Sequence, residues 1–189
     1  MTKKELRKAF KEKRNSLSAA ERARFDDLML IQFQNVDLPF IYSLFAYWPM
    51  EHHNEPDIHL FTDYIEFRNP ELKIAYPKID LKGNEMVAIL IDEETAFEKN
   101  NFGTYEPENT EIIRPGAFDM VFVPLLAIDM EGYRIGYGKG FYDKFLADCR
   151  DDCLKVGFSY FEPVQQITDK HEFDVPLNLC ITPQSVYVF

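Results

Sequence analysis

Residues 119–129, DMVFVPLLAID, form a nearly continuous apolar run, which constrains the fold more than any other segment. A strand with one face in water alternates apolar and polar residues, whereas a strand buried on both faces has no such need. The run therefore predicts a central strand that is covered on both sides. Parallel sheets meet this requirement because the helices that connect their strands pack on both faces.

Helical and strand-like segments alternate along the rest of the chain. Apolar residues spaced among Lys and Arg predict a basic amphipathic helix over residues 3–14. Ser18 and Glu21 form a capping-box pattern that predicts a second helix ending near residue 34. A third helix is predicted to begin after residues 54–57. Further strands are predicted over residues 41–48, 72–77, 86–91, 153–160 and 179–182.

This alternation predicts an α/β fold, a single three-layer α/β/α domain over residues 1–189 with a mostly parallel sheet. The sequence contains no repeat, low-complexity tract or linker that would mark a second domain. Residues 97–117 hold many turn-forming residues and little periodicity. They are predicted to form a long loop that is ordered for a functional reason.

Charge is distributed unevenly. The chain has 21 Lys and Arg against 32 Asp and Glu, and a net charge of −11 disfavours a nucleic-acid-binding surface. Seven of the basic residues nevertheless fall within the first 14 positions, which suggests a local anion site. Cys149, Cys153 and Cys180 lack the spacing of a zinc site and are expected to be free thiols. Because no apolar stretch is long enough for a membrane span or signal segment, we expect a cytoplasmic protein.

The glycine-rich segment GYRIGYGKGFYD, residues 132–143, carries the strongest indication of function. Its three alternate glycines remove side chains where backbone N–H groups must approach a ligand closely. Arg134 and Lys139 add positive charge, which suits phosphate, and Asp143 is placed to hold a magnesium ion that bridges phosphates. The segment follows neither the Walker A nor the dinucleotide-binding pattern. A solvated glycine-rich turn is the alternative, although the position after a buried strand favours a ligand site.

The same segment resembles the signature G-x-R-L-G-x-G-x-G-x-Y-D of the 5-formyltetrahydrofolate cyclo-ligase family, with Ile135 in place of Leu. Other elements similar to those of the family follow in the family's order along nearly the whole chain: Lys3 to Arg7, Tyr47-Trp48-Pro49, Glu55-Pro56-Asp57, Tyr105-Glu106-Pro107, and His171 with Asp174. The chain departs from the family pattern at Ile58, where Thr is usual, and at Asn178, where Asp is usual.

The resemblance implies an enzyme that uses ATP and Mg²⁺ to cyclise 5-formyltetrahydrofolate to 5,10-methenyltetrahydrofolate, releasing ADP and phosphate, through a phosphorylated formyl intermediate. It implies catalytic roles for Arg134 and Lys139 and metal binding by Asp143 and Asp174. ATP binding is implied for Lys3, Lys4, Glu5, Leu6, Arg7, Arg134, Ile135, Gly136, Tyr137, Gly138, Lys139, Gly140, Phe141 and Tyr142. Substrate binding is implied for Met50, Glu55, Tyr137, Gly138, Lys139, Gly140 and Phe141, with Glu55 accepting hydrogen bonds from the pterin ring.

The expected partner is a reduced folate as a small-molecule substrate, with no nucleic acid and no membrane, and the chain is expected to be a monomer. Two alternatives stay open: an ATP-using homologue with a substrate other than folate, and a non-catalytic module whose basic helix holds RNA or an acidic partner. His52, His53, Glu55 and His59 also suggest a transition-metal cluster. They lack a clear zinc-binding spacing, so histidines at the surface or in loops are the preferred interpretation.

Overall fold

The computed structural model describes residues 1–80, 85–101 and 103–189. The helices in this part of the chain are α1 (Lys3–Ser16), α2 (Ala19–Gln34), α3 (Ile58–Arg68) and α4 (Phe141–Ala147), with short 3-10 helices at Glu51–His53 and Pro115–Ala117. The strands are β1 (Ser43–Phe45), β2 (Lys73–Asp80), β3 (Glu85–Leu90), β4 (Phe97–Lys99), β5 (Tyr105–Pro107), β6 (Ile112–Ile113), β7 (Met120–Phe122), β8 (Ala127–Ile128), β9 (Arg134–Ile135), β10 (Leu154–Phe158), β11 (Leu179–Ile181) and β12 (Val186–Val188).

Eight of these strands form one sheet in the order β12-β11-β10-β7-β1-β2-β3-β6. The five central strands, from β11 to β2, are parallel to one another. Strand β12 adds to one edge in antiparallel orientation, and β3 and β6 extend the other edge in the same way. The prediction of an α/β fold with a mostly parallel sheet is confirmed. Neighbouring parallel strands bring their carboxyl ends to one edge, where ligands collect in such sheets.

Successive residues of the central strands build two cores on opposite faces of the sheet, because side chains alternate along a strand. Leu44 packs on the face that α2 and α3 cover, together with Phe33 and Phe61. The next residue, Phe45, faces the other way and stacks on Phe145 of α4 at a centroid distance of 4.4 Å. Burial of each large apolar side chain stabilises the fold by roughly 2–3 kcal/mol. The helices therefore form the two outer layers.

Capping boxes start the first two helices. In α2, Ser18 accepts the backbone N–H of Glu21, and the Glu21 carboxylate accepts that of Ser18. This confirms the predicted start of the helix. The equivalent pair in α1 is Thr2 and Glu5. Each cap satisfies N–H groups that have no partner inside the helix, which stabilises the helix by about 1 kcal/mol.

The apolar run 119–129 is not one strand, contrary to prediction. Strand β7 ends at Phe122, and Pro124, which has no backbone N–H to donate, separates it from β8. Strand β8 then pairs antiparallel with β9. Residues from Met120 to Ile128 are nevertheless almost all buried, as predicted. The β8–β9 hairpin leads the chain directly into the glycine-rich segment.

Residues 97–117 are also more regular than predicted. Strands β4 and β5 form an antiparallel hairpin, and β6 pairs with β3 at the edge of the main sheet. Phe102, which belongs to the predicted loop, lies outside the described residues. Strand β12 was not predicted, since three residues are too few to show periodicity. Among the described helices, none has both the length and the apolar composition needed to cross a bilayer.

Candidate active site

A cavity of about 570 Å³ opens at the carboxyl ends of β1 and β7, which is the size of many small-molecule sites. Tyr47 and Trp48 follow β1 and form one wall, and Pro124 follows β7. The charged residues that line the cavity are Lys3, Arg7, Lys11, Glu55, Glu106, Arg134, Lys139, Asp143 and Asp174. Cationic and anionic groups thus share one space with aromatic walls.

Most of the predicted binding residues line this cavity. They are Lys3, Arg7, Met50, Glu55, every residue from Arg134 to Tyr142, Asp143 and Asp174. Lys4, Glu5 and Leu6 do not line it: Lys4 is exposed, Glu5 caps α1, and Leu6 is fully buried in the core. Helix residues share a face only when they are three or four positions apart, so Lys3 and Arg7 face the cavity and the residues between them do not.

Backbone geometry explains two glycines in residues 136–140, the glycine loop. Gly138 and Gly140 have φ angles of +87° and +73°, a region that other residues rarely adopt. A Cβ atom on Gly138 would also lie 3.3 Å from Nη2 of Arg7. Nε of Arg7 donates a hydrogen bond of 3.0 Å to the carbonyl oxygen of Gly136. The glycine loop and the basic helix α1 are therefore in direct contact and face the same space.

The two predicted catalytic cations have different surroundings. The side chain of Arg134 is buried, and its guanidinium donates to Oδ1 of Asp143 at 2.8 Å and to the carbonyl oxygen of Val175 at 2.6 Å. Burial lowers the pKa of Arg134, an effect that Asp143 opposes. Lys139 is exposed and has no hydrogen bond or ion pair with any described residue. Lys139 is thus free to contact a ligand, whereas Arg134 also holds the site together.

Asp143 and Asp174, the predicted magnesium ligands, both line the cavity. Asp174 accepts hydrogen bonds through Oδ2 from Nζ of Lys3 at 2.5 Å and from the backbone N–H of His171 at 2.7 Å. Burial alone would raise the pKa of Asp174, but these donors outweigh it and hold the pKa below its ordinary value. Within the described residues, Oδ1 of Asp174 and Oδ2 of Asp143 accept no hydrogen bond. Two such carboxylate oxygens at one cavity fit a hard cation that keeps several of its waters.

No preformed protein cage surrounds these two carboxylates, since the described residues contain no cluster of three or more His, Cys, Asp or Glu side chains suited to a metal. The suggested histidine cluster is likewise not assembled. His59 packs edge-on against Trp48, His52 lies against His53, and the Glu55 carboxylate is engaged elsewhere. These histidines therefore pack against aromatic neighbours, and among the three only His53 lines the cavity.

Glu55 is buried and also lines the cavity. Its Oε2 accepts the backbone N–H of Met50 at 2.7 Å, and its Oε1 accepts the hydroxyl of Tyr137 at 2.5 Å. Burial raises the pKa of Glu55, and the hydrogen bonds and the charge of Arg14 act in the opposite direction. Both oxygens already accept donors, so the side chain is arranged as an acceptor for further N–H groups.

Comparison with known proteins identifies the family to which the chain belongs. Residues 1–183 match the family model described as the 5-formyltetrahydrofolate cyclo-ligase family. The chain belongs to this family. The match covers nearly the whole chain, as the order of the sequence elements predicted, and the prediction of an enzyme of this family is confirmed. Family membership gives no support to the non-catalytic alternative.

Relatives of the family resemble the chain along its length. The 5-formyltetrahydrofolate cyclo-ligase of Mycoplasma pneumoniae is 29% identical over 189 residues, which is 97% of this chain and 100% of the relative. A solution structure of the 5,10-methenyltetrahydrofolate synthetase of Aquifex aeolicus has a TM-score of 0.81 and 30% identity, covering 100% of this chain and 93% of the other. A structure of the Mycoplasma pneumoniae synthetase has a TM-score of 0.74 and 27% identity, covering 97% and 99%.

The two departures from the family pattern both have structural roles. Ile58 is the first residue of α3 and is fully buried, while Asp57 caps the helix by accepting the N–H of His59 at 3.2 Å. Asn178 pairs with Lys155 at the start of β10 and does not line the cavity. The Asn178 side chain therefore connects β10 to the segment before β11 and lies away from the two carboxylates of the candidate metal site.

Sequence reasoning missed several residues of the site in this family member. Lys11 lines the cavity beyond Lys3 and Arg7, and Arg14 lies one further turn along α1, buried behind Tyr137. Their spacing of four, four and three residues is the signal that identifies one helix face. His53 stacks on Tyr137 at 4.8 Å, and its pKa is lowered to about 4 by burial and by nearby positive groups, so it is neutral near pH 7.

Proposed function

We propose that this chain catalyses the ATP- and Mg²⁺-dependent cyclisation of 5-formyltetrahydrofolate to 5,10-methenyltetrahydrofolate. In this reaction the formyl oxygen attacks the γ-phosphorus of ATP, and ADP leaves. N10 of the folate then attacks the activated formyl carbon and loses its proton, the carbon–oxygen bond breaks, and phosphate departs with the former formyl oxygen. Phosphorylation is needed because the oxygen of an amide-like formyl group is a poor leaving group.

One observation carries this proposal beyond family membership. A buried carboxylate, Glu55, and the cationic glycine loop face the same cavity and are joined by the hydrogen bond from Tyr137 to Glu55. The carboxylate suits the N–H donors of a pterin edge, and the loop suits phosphate. A cavity that contains both the Glu55 carboxylate and the glycine loop supports a reaction in which a phosphoryl group passes from a donor to a pterin substrate.

Phosphoryl transfer asks the protein mainly for positioning and charge stabilisation. Lys139 has no partner among the described residues and can neutralise charge on the transferring group, while Arg7 holds the loop at Gly136 and faces the same space. Arg134 fixes Asp143 through its ion pair. Asp143 and Asp174 would hold the magnesium ion, which when bound neutralises phosphate charge.

The folate would enter with its pterin ring toward Glu55, whose acceptor oxygens orient the ring. The formyl group would then face the glycine loop, a pose supported by Tyr137, which belongs to the loop and contacts Glu55. Aromatic side chains at Tyr47, Trp48 and Tyr142 line the cavity and would limit the access of water to the reacting atoms of a bound substrate. Water exclusion matters because an activated formyl group can otherwise hydrolyse.

The test uses absorbance, because 5,10-methenyltetrahydrofolate has a near-ultraviolet band that 5-formyltetrahydrofolate lacks. Purified chain, 5-formyltetrahydrofolate, ATP and Mg²⁺ are combined, and each component is then omitted in turn. We expect the band to grow only in the complete mixture. Two results together would refute the proposal: the complete mixture gives no band, and ATP is consumed in the presence of another substrate. The chain would then be an ATP-using homologue whose substrate is not a folate.

A further inference from the structure

Arg14 differs from the other basic residues of α1. Seven Lys and Arg side chains occupy the first 14 positions, and Arg14 is the one among them that is buried, with 3% of its surface exposed. A buried guanidinium is costly unless its donors find partners. Its two terminal nitrogens do: Nη1 donates to the Tyr137 hydroxyl at 3.1 Å, and Nη2 donates to the carbonyl oxygen of Leu125.

The hydrogen bonds of Arg14 determine the direction of the hydrogen bond between Tyr137 and Glu55. An arginine side chain has donors and no acceptor, so Tyr137 can only accept from it. The single hydroxyl proton of Tyr137 must then point elsewhere, and it points to Oε1 of Glu55 at 2.5 Å. Burial also raises the pKa of Tyr137 well above its ordinary value, which keeps this proton on the hydroxyl.

Glu55 therefore receives donors on both oxygens, from Tyr137 and from the backbone N–H of Met50. An acceptor fixed in this way matches a ligand edge that presents N–H groups. Arg14 itself lies behind the wall of the cavity, which Tyr137 and Glu55 line. Its positive charge favours the ionised carboxylate against the effect of burial.

We propose that Arg14 is a positioning residue for folate recognition, which acts through the Tyr137 hydroxyl to hold Glu55 as a hydrogen-bond acceptor. This inference rests on the proposed function and names a residue that determines how that site accepts its pterin substrate. Arg14 does not line the cavity, so it is not expected to contact ATP or folate. Loss of the Arg14 side chain should therefore weaken folate binding and leave ATP binding unchanged, because Lys3, Arg7 and the glycine loop keep their positions.

The first experiment compares Arg14→Met with the parent chain. The loss of a hydrogen bond from a charged donor in a buried network should raise the folate KM about tenfold. The KM for ATP should stay within about twofold. Arg22→Met is the matched control, since Arg22 is a partly buried arginine on α2 that donates to the carbonyl oxygen of Leu17 and does not line the cavity. The control should leave both KM values unchanged.

A double-mutant cycle with Tyr137→Phe tests the route of the effect. If Arg14 acts through the Tyr137 hydroxyl, Arg14→Met should raise the folate KM no further once that hydroxyl is gone. Additive increases in the double variant would overturn the inference. Equal increases in the folate and ATP KM values of Arg14→Met would also overturn it, because they indicate that Arg14 only holds α1 in place.

Arg14→Lys keeps the inference testable if Arg14→Met does not fold. A lysine keeps the charge but not the planar fork that reaches two oxygens, so the folate KM should rise by about threefold. A folate KM equal to that of the parent would overturn the inference. Folate binding is measured in parallel without ATP, from the fluorescence of Trp48, the single tryptophan of the chain. A parent that binds folate without cyclising it refutes the proposed function alone, and a parent that binds no folate refutes both.

Discussion

Replacement of Glu55 by glutamine is expected to weaken the binding of folate and to leave the binding of ATP nearly unchanged. The Glu55 carboxylate accepts hydrogen bonds from Met50 and Tyr137 and keeps lone pairs for a ligand. A glutamine has one acceptor oxygen and an NH₂ group. It cannot satisfy two protein donors and also accept N–H groups of a pterin ring. The loss of a charge-assisted hydrogen bond costs about 1.5–3 kcal/mol, which corresponds to a rise in the folate KM of roughly tenfold to 150-fold.

The assay follows the near-ultraviolet band of the product while folate is varied at saturating ATP, and then while ATP is varied at saturating folate. The ATP KM of Glu55→Gln should stay near that of the parent. Glu162→Gln is the control, because Glu162 is a partly buried carboxylate that accepts the hydroxyls of Thr182 and Tyr187 away from the cavity. A folate KM in Glu55→Gln equal to that of the parent would refute this account of pterin recognition. Equal increases in the KM values for folate and ATP would refute it as well.

Three further predictions concern the phosphate end, the metal and pH. Lys139→Ala should lower kcat roughly a hundredfold, about 3 kcal/mol, with an unchanged Tm. Arg134→Ala should lower both kcat and Tm, because it removes the ion pair to Asp143 and the donor to the carbonyl oxygen of Val175. Rates and thermal melts check this, and a parental rate in Lys139→Ala would refute the assignment of the phosphate site to the glycine loop. Asp143→Asn should raise the Mg²⁺ needed for half-maximal activity, and Asn178→Asp should leave it unchanged because Asn178 does not line the cavity. An identical Mg²⁺ titration for Asp143→Asn and the parent would refute the ligand assignment. Burial raises the pKa of Asp26 to about 7 from an ordinary value of 3.8, so the unfolded chain loses this proton first and the free energy of unfolding falls as pH rises from about 4 to 7. Asp26→Asn should remove up to about 3 kcal/mol of the decline between pH 5 and 8. Urea unfolding at pH 5 and 8 that shows the same decline in both proteins would contradict this.

Much of the fold was predictable because its signals are local. The capping box at Ser18 and Glu21 and the buried residues of α3 follow from side-chain type and spacing alone. The break at Pro124 was readable from the missing N–H but was outweighed by the apolar run around it. The β4–β5 hairpin and β12 escaped prediction because strands of three residues depend on partners that are distant in the sequence.

The candidate site also contains residues that were predictable from local sequence and residues whose roles depend on distant contacts. The glycine loop is contiguous in sequence, and its lining residues were all named in advance. Arg14 was not, because its role depends on Tyr137, which is 123 residues away in the chain. Glu5 and Leu6 were assigned to ATP through resemblance, but neither lines the cavity, since Glu5 caps α1 and Leu6 packs in the core. A short motif does not distinguish the residues that face a ligand from those that hold their helix.

The most direct test of the proposed mechanism is the fate of the formyl oxygen. The substrate is prepared with ¹⁸O in the formyl group and converted with unlabelled ATP, Mg²⁺ and water, and the released phosphate is analysed by mass spectrometry. Transfer of the formyl oxygen to phosphorus predicts one ¹⁸O atom in each phosphate, with one phosphate released for each methenyl product formed. Unlabelled phosphate, or product formed without ATP consumption, would contradict phosphoryl activation of the formyl group in this cavity.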